Sequence, residues 1–371
     1  MTTEEEPSQD RGSVSGRDKR LILILLVLAA MVGATVVTLR LRQRPRYRVT
    51  FLPAMGGVET RAHSINDRGE VLATVRTARE GLRVVVWDKS DTVRQIDSLP
   101  AGCYAEGLTL NNKGQAAGTV HEPNGAYHSF LWDPVAGRIA VRPPDGTSAS
   151  VCGLNDIGEI VGVLKTAAGL QRAFIWDWRN GVRELVTLGG PESRACSIMI
   201  AGRIAGFAQT PDGQWHAALW TSSRYVHDLG PAPAKPWVKI HINSTCFVAG
   251  NFGSDADLAC ISVWDTKTPP RRLPHLGGAS TEVWALNDAG RLLVTTYVEG
   301  VKVAGRRMLD DSRTYQWDRR RGFRRLSERV GRPDVRTLVA IDINKDGAMI
   351  GSLRLKRGPR TSYAVLLEPI K

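Results

Sequence analysis

The sequence predicts an all-β chain: a seven-bladed β-propeller of four-stranded repeats about 44 residues long, preceded by one N-terminal transmembrane helix. Three observations predict it. An apolar-Asn-x-x-Gly turn recurs at a nearly constant period. A β-branched strand ending in Trp follows most copies of that turn. A charge-free apolar run stands near the N-terminus.

The turn is written most fully as Ser64-Ile65-Asn66-Asp67-Arg68-Gly69-Glu70-Val71. Its Asn position falls at 66, 111, 155, 199, 243, 287 and 344, with steps of 45, 44, 44, 44, 44 and 57 residues. Asn caps a turn with its side chain and Gly supplies the positive φ of a short hairpin loop. Met199 replaces Asn in the fourth copy and Cys246 replaces Gly in the fifth. After each turn the chain reads as short strands. In the first unit these are Arg61–Asn66, Glu70–Val75, Leu82–Trp87 and Val93–Leu99. The Trp at the end of the third strand recurs at 132, 176, 220, 264 and 317; Leu366 stands there in the last unit. A Trp fixed to one repeat position reads as packing between units.

A four-stranded unit cannot bury both of its faces alone, so neighbours bury one another and the ring must close. The seventh unit ends after its third strand. Tyr47–Leu52 resembles the end of the third unit, Glu184–Leu188, and is assigned as the missing outer strand. The domains follow: a polar tail at 1–20, a transmembrane anchor at 21–39, a basic linker at 40–46 and the propeller at 47–371. The apolar run would be about 28 Å long as a helix, enough to span a bilayer. A short tail before a single span places the N-terminus inside and the propeller outside the cytoplasm.

The copies Tyr127-His128-Ser129-Phe130-Leu131-Trp132, Arg172-Ala173-Phe174-Ile175-Trp176 and His216-Ala217-Ala218-Leu219-Trp220, taken with the Asn-x-x-Gly turns, resemble the HAF-repeat family. The resemblance covers 47–371. It implies an extracytoplasmic propeller and brings no catalytic residues with it.

The net charge of +13 is local: residues 291–360 hold 18 Lys and Arg against 8 Asp and Glu. Arg306, Arg307, Arg319, Arg320, Arg321, Arg324 and Arg325 form a candidate patch for an anionic partner, either lipid headgroups or polysaccharide, with protein contact also open and nucleic acid disfavoured. The sixth unit is also the longest, with an insertion around 301–311 that marks a candidate binding loop. Asp342, Asn344 and Asp346 begin like a calcium loop, but Leu353 stands where an EF-hand needs Glu, so an ordinary turn is preferred and no cofactor is assigned. The seven histidines lack metal-ligand spacing, although His63 and His241 lie close to their turns and could approach one rim. Five cysteines show no disulfide framework; Cys152 and Cys196, at equivalent positions, read as packed thiols. No nucleophile elbow, P-loop or dinucleotide fingerprint occurs. The expectation is a membrane-anchored, non-catalytic binding or scaffolding module. The alternative is a hydrolase-like enzyme, acting on carbohydrate, with its site in the central channel or rim.

Overall fold

The computed structural model describes residues 46–370 apart from 55, 79–80, 89–91, 100, 146, 233–238, 252–259, 266–268, 279, 298–301, 304–305, 308–311 and 358–361. The expected tail, the membrane span and all of the linker but Arg46 lie outside the described residues. Among the described residues no helix is long and apolar enough to cross a membrane.

Seven antiparallel four-stranded sheets follow one another along the chain. Their first strands are Glu59–Ile65, Tyr104–Leu110, Ser148–Leu154, Ser193–Ile198, Ile240–Ile242, Ser280–Leu286 and Val335–Ile343. These contact one another in sequence around a ring, the last against the first, and so line a central axis. The chain then runs outward through each blade. In blade 1 the second strand, Val71–Arg76, is buried on both faces because its neighbours cover it. The outer strand, Val93–Leu99, is half exposed.

Blade 7 takes its outer strand from the other end of the propeller. Tyr47–Phe51 pairs antiparallel with Tyr363–Pro369, in a register that sets Tyr47 opposite Pro369 and Phe51 opposite Val365. Arg48 and Glu368 add an ion pair across this seam, 320 residues apart in the chain.

The core is divided into seven apolar clusters, one at each joint between blades. Each repeat Trp enters the cluster shared with the preceding blade. Trp87 packs against Ile350 and Ala364 of blade 7. Trp176 packs against blade 2, and Trp317 stacks on Phe247 of blade 5 with ring centroids 6.3 Å apart. Trp220 is fully buried and donates from Nε1 to the Val186 carbonyl of blade 3 at 2.7 Å.

The repeat Asn joins the blades with polar contacts. Its Oδ1 accepts backbone N–H groups inside its own turn, as Asn111 does from Lys113 and Gln115. Its Nδ2 donates to the backbone carbonyl of the equivalent residue in the next blade. Asn66 reaches Asn111 at 3.0 Å, Asn111 reaches Asn155 at 2.9 Å, and Asn155 reaches Met199 at 3.2 Å. Asn243 reaches Asn287 at 3.1 Å, Asn287 reaches Asn344 at 2.8 Å, and Asn344 returns to Asn66 at 3.1 Å. The circle is complete except from blade 4 to blade 5, where Met199 has no amide to give. There Cys246 Sγ meets Met199 Sδ at 3.7 Å and Arg203 Nη1 lies 2.6 Å from the same Sγ. Cys246 also holds a φ of 59°, the left-handed conformation that Gly occupies in other copies of the turn. The two departures from the repeat are thus neighbours at one joint.

Two outcomes follow. Replacing Asn111 by Ala removes a cap and an inter-blade donor, and is expected to lower unfolding free energy by about 2–3 kcal/mol in denaturant titration. Deleting residues 47–51 should lower the melting temperature steeply; an unchanged melting temperature would show that the seam contributes no stability.

Candidate functional site

The innermost strands do not run straight. In blades 1, 3, 4, 6 and 7 one residue bulges out of the ladder three positions before the turn residue: His63, Cys152, Cys196, Trp284 and Ile341. A bulge presses its strand against the neighbour and re-aims a side chain. Glycine on the second strand makes room for it. A Cβ on Gly162, Gly206 or Gly351 would stand 1.9–2.0 Å from the carbonyl oxygen of Ser150, Arg194 or Val339. Blade 5 pairs without a bulge; there His241, two positions before Asn243, is half-buried between the buried Ile240 and Ile242.

These residues and those one step up the strands converge on the channel. The upper level carries Arg61, Glu106, Ser150, Arg194, Lys239 and Glu282, each of them exposed or half-buried. The lower level carries His63, Cys152, Cys196, His241 and Trp284. His63 Nε2 lies 2.8 Å from Thr74 Oγ1, and His241 Nε2 lies 3.2 Å from the Val283 carbonyl of blade 6. Lys239 Nζ sits 5.3 Å from the Trp284 ring centroid.

Three cations act on the lower level: Arg61 stands ahead of Lys239 at His63, and Arg194 stands ahead of it at both Cys152 and Cys196. Lys239 acts on His63, Cys152, Cys196, His241 and Asp342, groups from five blades. Burial first, then the charges of Arg61 and Lys239, pushes the His63 imidazole down to about 4. Burial and Lys239 push His241 down to about 3. Enclosure by the wall raises the Cys152 thiol, and raises Cys196 to about 12. At neutral pH the lower level is therefore uncharged. Asp342 is also raised by burial, against the pull of Ile65 N–H and the Ser64 hydroxyl, each 2.9 Å from its Oδ2.

The expectation that Cys152 is a packed thiol is corrected here. Its bulge turns it out of the sheet, and it is open to channel solvent while Val151 beside it is buried. Lys239 acts on both His63 and His241.

The arginines singled out by charge lie elsewhere, on blade 6. Arg319, Arg320 and Arg321 form the turn after the third strand, and Arg324 and Arg325 end the fourth. Asp318 organises the turn, accepting the backbone N–H groups of Arg320 and Arg321 and pairing with Arg324. Asp177 and Arg183 repeat this device in blade 3. Arg319 pairs with Asp265 at 3.1 Å and covers the Phe247 ring. Arg320, Arg321 and Arg325 remain exposed. Arg306 and Arg307 belong to a two-stranded ribbon, paired with Lys302 and Val303, between the second and third strands. In an antiparallel meander that loop lies at the end of the blade opposite the Asn turns.

The calcium-like residues are put to separate uses. Asp342 serves blade 1, Asn344 Oδ1 caps its own turn through Ala348 N–H, and Asp346 is exposed. Among the described residues, no group of three or more His, Cys, Asp or Glu side chains is arranged to hold a metal ion.

No family model matches the chain, and no curated protein matches it in sequence. Solved structures do match its fold. A catalytically inactive virginiamycin B lyase from Staphylococcus aureus, bound to quinupristin, aligns over 87% of this chain and all of its own, with 11% identity and a TM-score of 0.58. A fungal alcohol oxidase in complex with copper covers 88% of this chain and 76% of its own at 10% identity, TM-score 0.52. The propeller domain of the Trilobed protease from Pyrococcus furiosus covers 82% and 95% at 11% identity, TM-score 0.51. At these identities the likeness is one of fold. The last is described as an open velcro propeller, whereas blade 7 here is hydrogen-bonded to blade 1.

The histidines predict a pH response. Their folded values lie below the ordinary 6.5, so the unfolded chain binds more protons as pH falls from about 6.5 towards 4. Stability is present above that window and lost through it, with raised Asp342 opposing the trend at its acid end. Thermal melts should show a midpoint falling between pH 6.5 and 4.5, and a flatter profile for the His63→Gln/His241→Gln variant.

Proposed function

We propose that this chain is a membrane-tethered, non-catalytic binding propeller of the HAF-repeat kind, held by residues 21–39 outside the cytoplasm, with its basic rim against anionic headgroups. The observation that carries the reading is where the arginines meet the start of the propeller. Arg46 donates its backbone N–H to the Arg329 carbonyl at 2.7 Å. Burial chiefly, and then the charges of Arg324, Arg46 and Arg321, lowers the Arg329 guanidinium from its ordinary value, which sets these four side chains in one neighbourhood. Arg329 also covers the ring of Tyr47. Arg321, exposed on blade 6, and Arg324 thus stand in the neighbourhood of Arg46, where the propeller begins. Basic residues next to a span are each attracted to anionic lipid by about 1 kcal/mol, within a Debye length of about 10 Å.

The enzyme reading draws on the convergence of ionisable groups in the channel. Their protonation favours binding over catalysis. A thiol raised to about 12 supplies almost no thiolate at neutral pH, and imidazoles lowered to about 3 and 4 are weak bases. Asp342 is committed to neighbouring donors.

The full chain reconstituted into vesicles tests the rim. Backbone amides of 318–332 should exchange hydrogen more slowly in vesicles rich in phosphatidylglycerol than in phosphatidylcholine alone. The R320Q/R321Q/R325Q variant should lose the difference. Equal exchange in both lipids for the parent protein would remove the reading.

A further inference from the structure

We propose that the mouth of the central channel is a binding site for a small organic anion, a carboxylate or a phosphate monoester, docking on Lys239. The site is independent of the rim and of any membrane contact.

Lys239 precedes the innermost strand of blade 5, at the end opposite the Asn turns. Three cations stand at this level, Arg61, Arg194 and Lys239, against two carboxylates, Glu106 and Glu282. The carboxylates are engaged with other groups. Glu106 meets His121 Nε2 at 2.7 Å, and Glu282 accepts from the Tyr297 hydroxyl at 3.1 Å. Arg61 is held by Glu59 at 2.7 Å. Lys239 is exposed and makes no ion pair among the described residues; its ammonium lies over the face of Trp284. An ammonium presents three donors on a point charge, suited to an oxyanion rather than to a neutral ligand.

The level below completes the match. Two uncharged imidazoles and two protonated thiols compete for no anion and repel none. The indole of Trp284, half-buried against the blade 6–7 core, offers an apolar wall for the body of the ligand. The same arrangement disfavours a metal ion, although two His and two Cys line the wall. Lys239 repels a cation, and the ligating atoms do not group.

Cys152, open to the channel, reports on the site in the intact chain. Its labelling by an anionic and a cationic methanethiosulfonate of similar size is followed by peptide mass spectrometry. The ratio of the two rates cancels the thiol's own acidity and reads the local potential. Referred to the same ratio for a small free thiol, the anionic reagent should be favoured roughly tenfold. Lys239→Gln should reduce the ratio severalfold, Arg194 supplying the rest of the potential at Cys152, and Lys239→Arg, which keeps the charge, should preserve it. Inorganic phosphate and benzoate are then titrated as protectants. Saturable protection by phosphate alone assigns a phosphate ligand, by benzoate alone a carboxylate, and by both a shared oxyanion site. The proposal is overturned by a ratio unchanged in Lys239→Gln, by protection from neither anion, or by failure of both reagents to reach Cys152.

Discussion

The propeller depends on one hydrogen bond used six times. A buried amide Nδ2 on each repeat Asn crosses to the next blade's turn carbonyl while its Oδ1 holds its own turn. Both ends of the side chain are satisfied, so the group adds stability where an unpaired amide would cost it. Because donor and acceptor occupy the same position in successive units, the bond can propagate around a ring. The apolar joints provide most of the burial, but they are tolerant of shape. The Asn circle sets the angular register of one blade on the next.

The exception sharpens the rule. Between blades 4 and 5 the donor is absent, and a thiol, a thioether and a guanidinium fill the space. The same fifth blade has a three-residue inner strand, no bulge, and Lys239 in the channel mouth. The least regular joint of the scaffold adjoins the side chain with the widest electrostatic reach. Regularity elsewhere allows that local departure, since each blade touches mainly its neighbours.

Much of this fold was legible in the sequence because its period is a local property. The spacing of Asn66, Asn111 and Asn155 counts the blades, and the fixed Trp marks their packed edges. Relations across the ring were less legible. Asn66 could be recognised as a turn cap, but its bond to Asn111 needs the curvature of the sheet stack. His63, Cys152 and Lys239 are separated by long stretches of chain, and single-residue bulges decide which way His63 and Cys152 point. Alternation of apolar and polar residues does not reveal a bulge in advance. The arginine run was visible as charge. Its division into paired Arg319 and Arg324 and exposed Arg320, Arg321 and Arg325 depends on Asp265 and Asp318, one of them distant in sequence.

The seam between Tyr47–Phe51 and Tyr363–Pro369 has a consequence for how the molecule is made. Each complete hairpin closes over short loops, so blades 1 to 6 can assemble as they are synthesised. The final pairing joins residues at opposite ends of the propeller, and non-local contacts of that kind are slow to form. Until it forms, Tyr47–Phe51 is an unpaired strand awaiting a partner near residue 369. A ribosome moving from the N- to the C-terminus exposes that strand for nearly the whole period of synthesis. The nascent chain therefore carries an open edge, on which Arg46 and Arg48 place positive charge of the kind that disfavours edge-to-edge pairing.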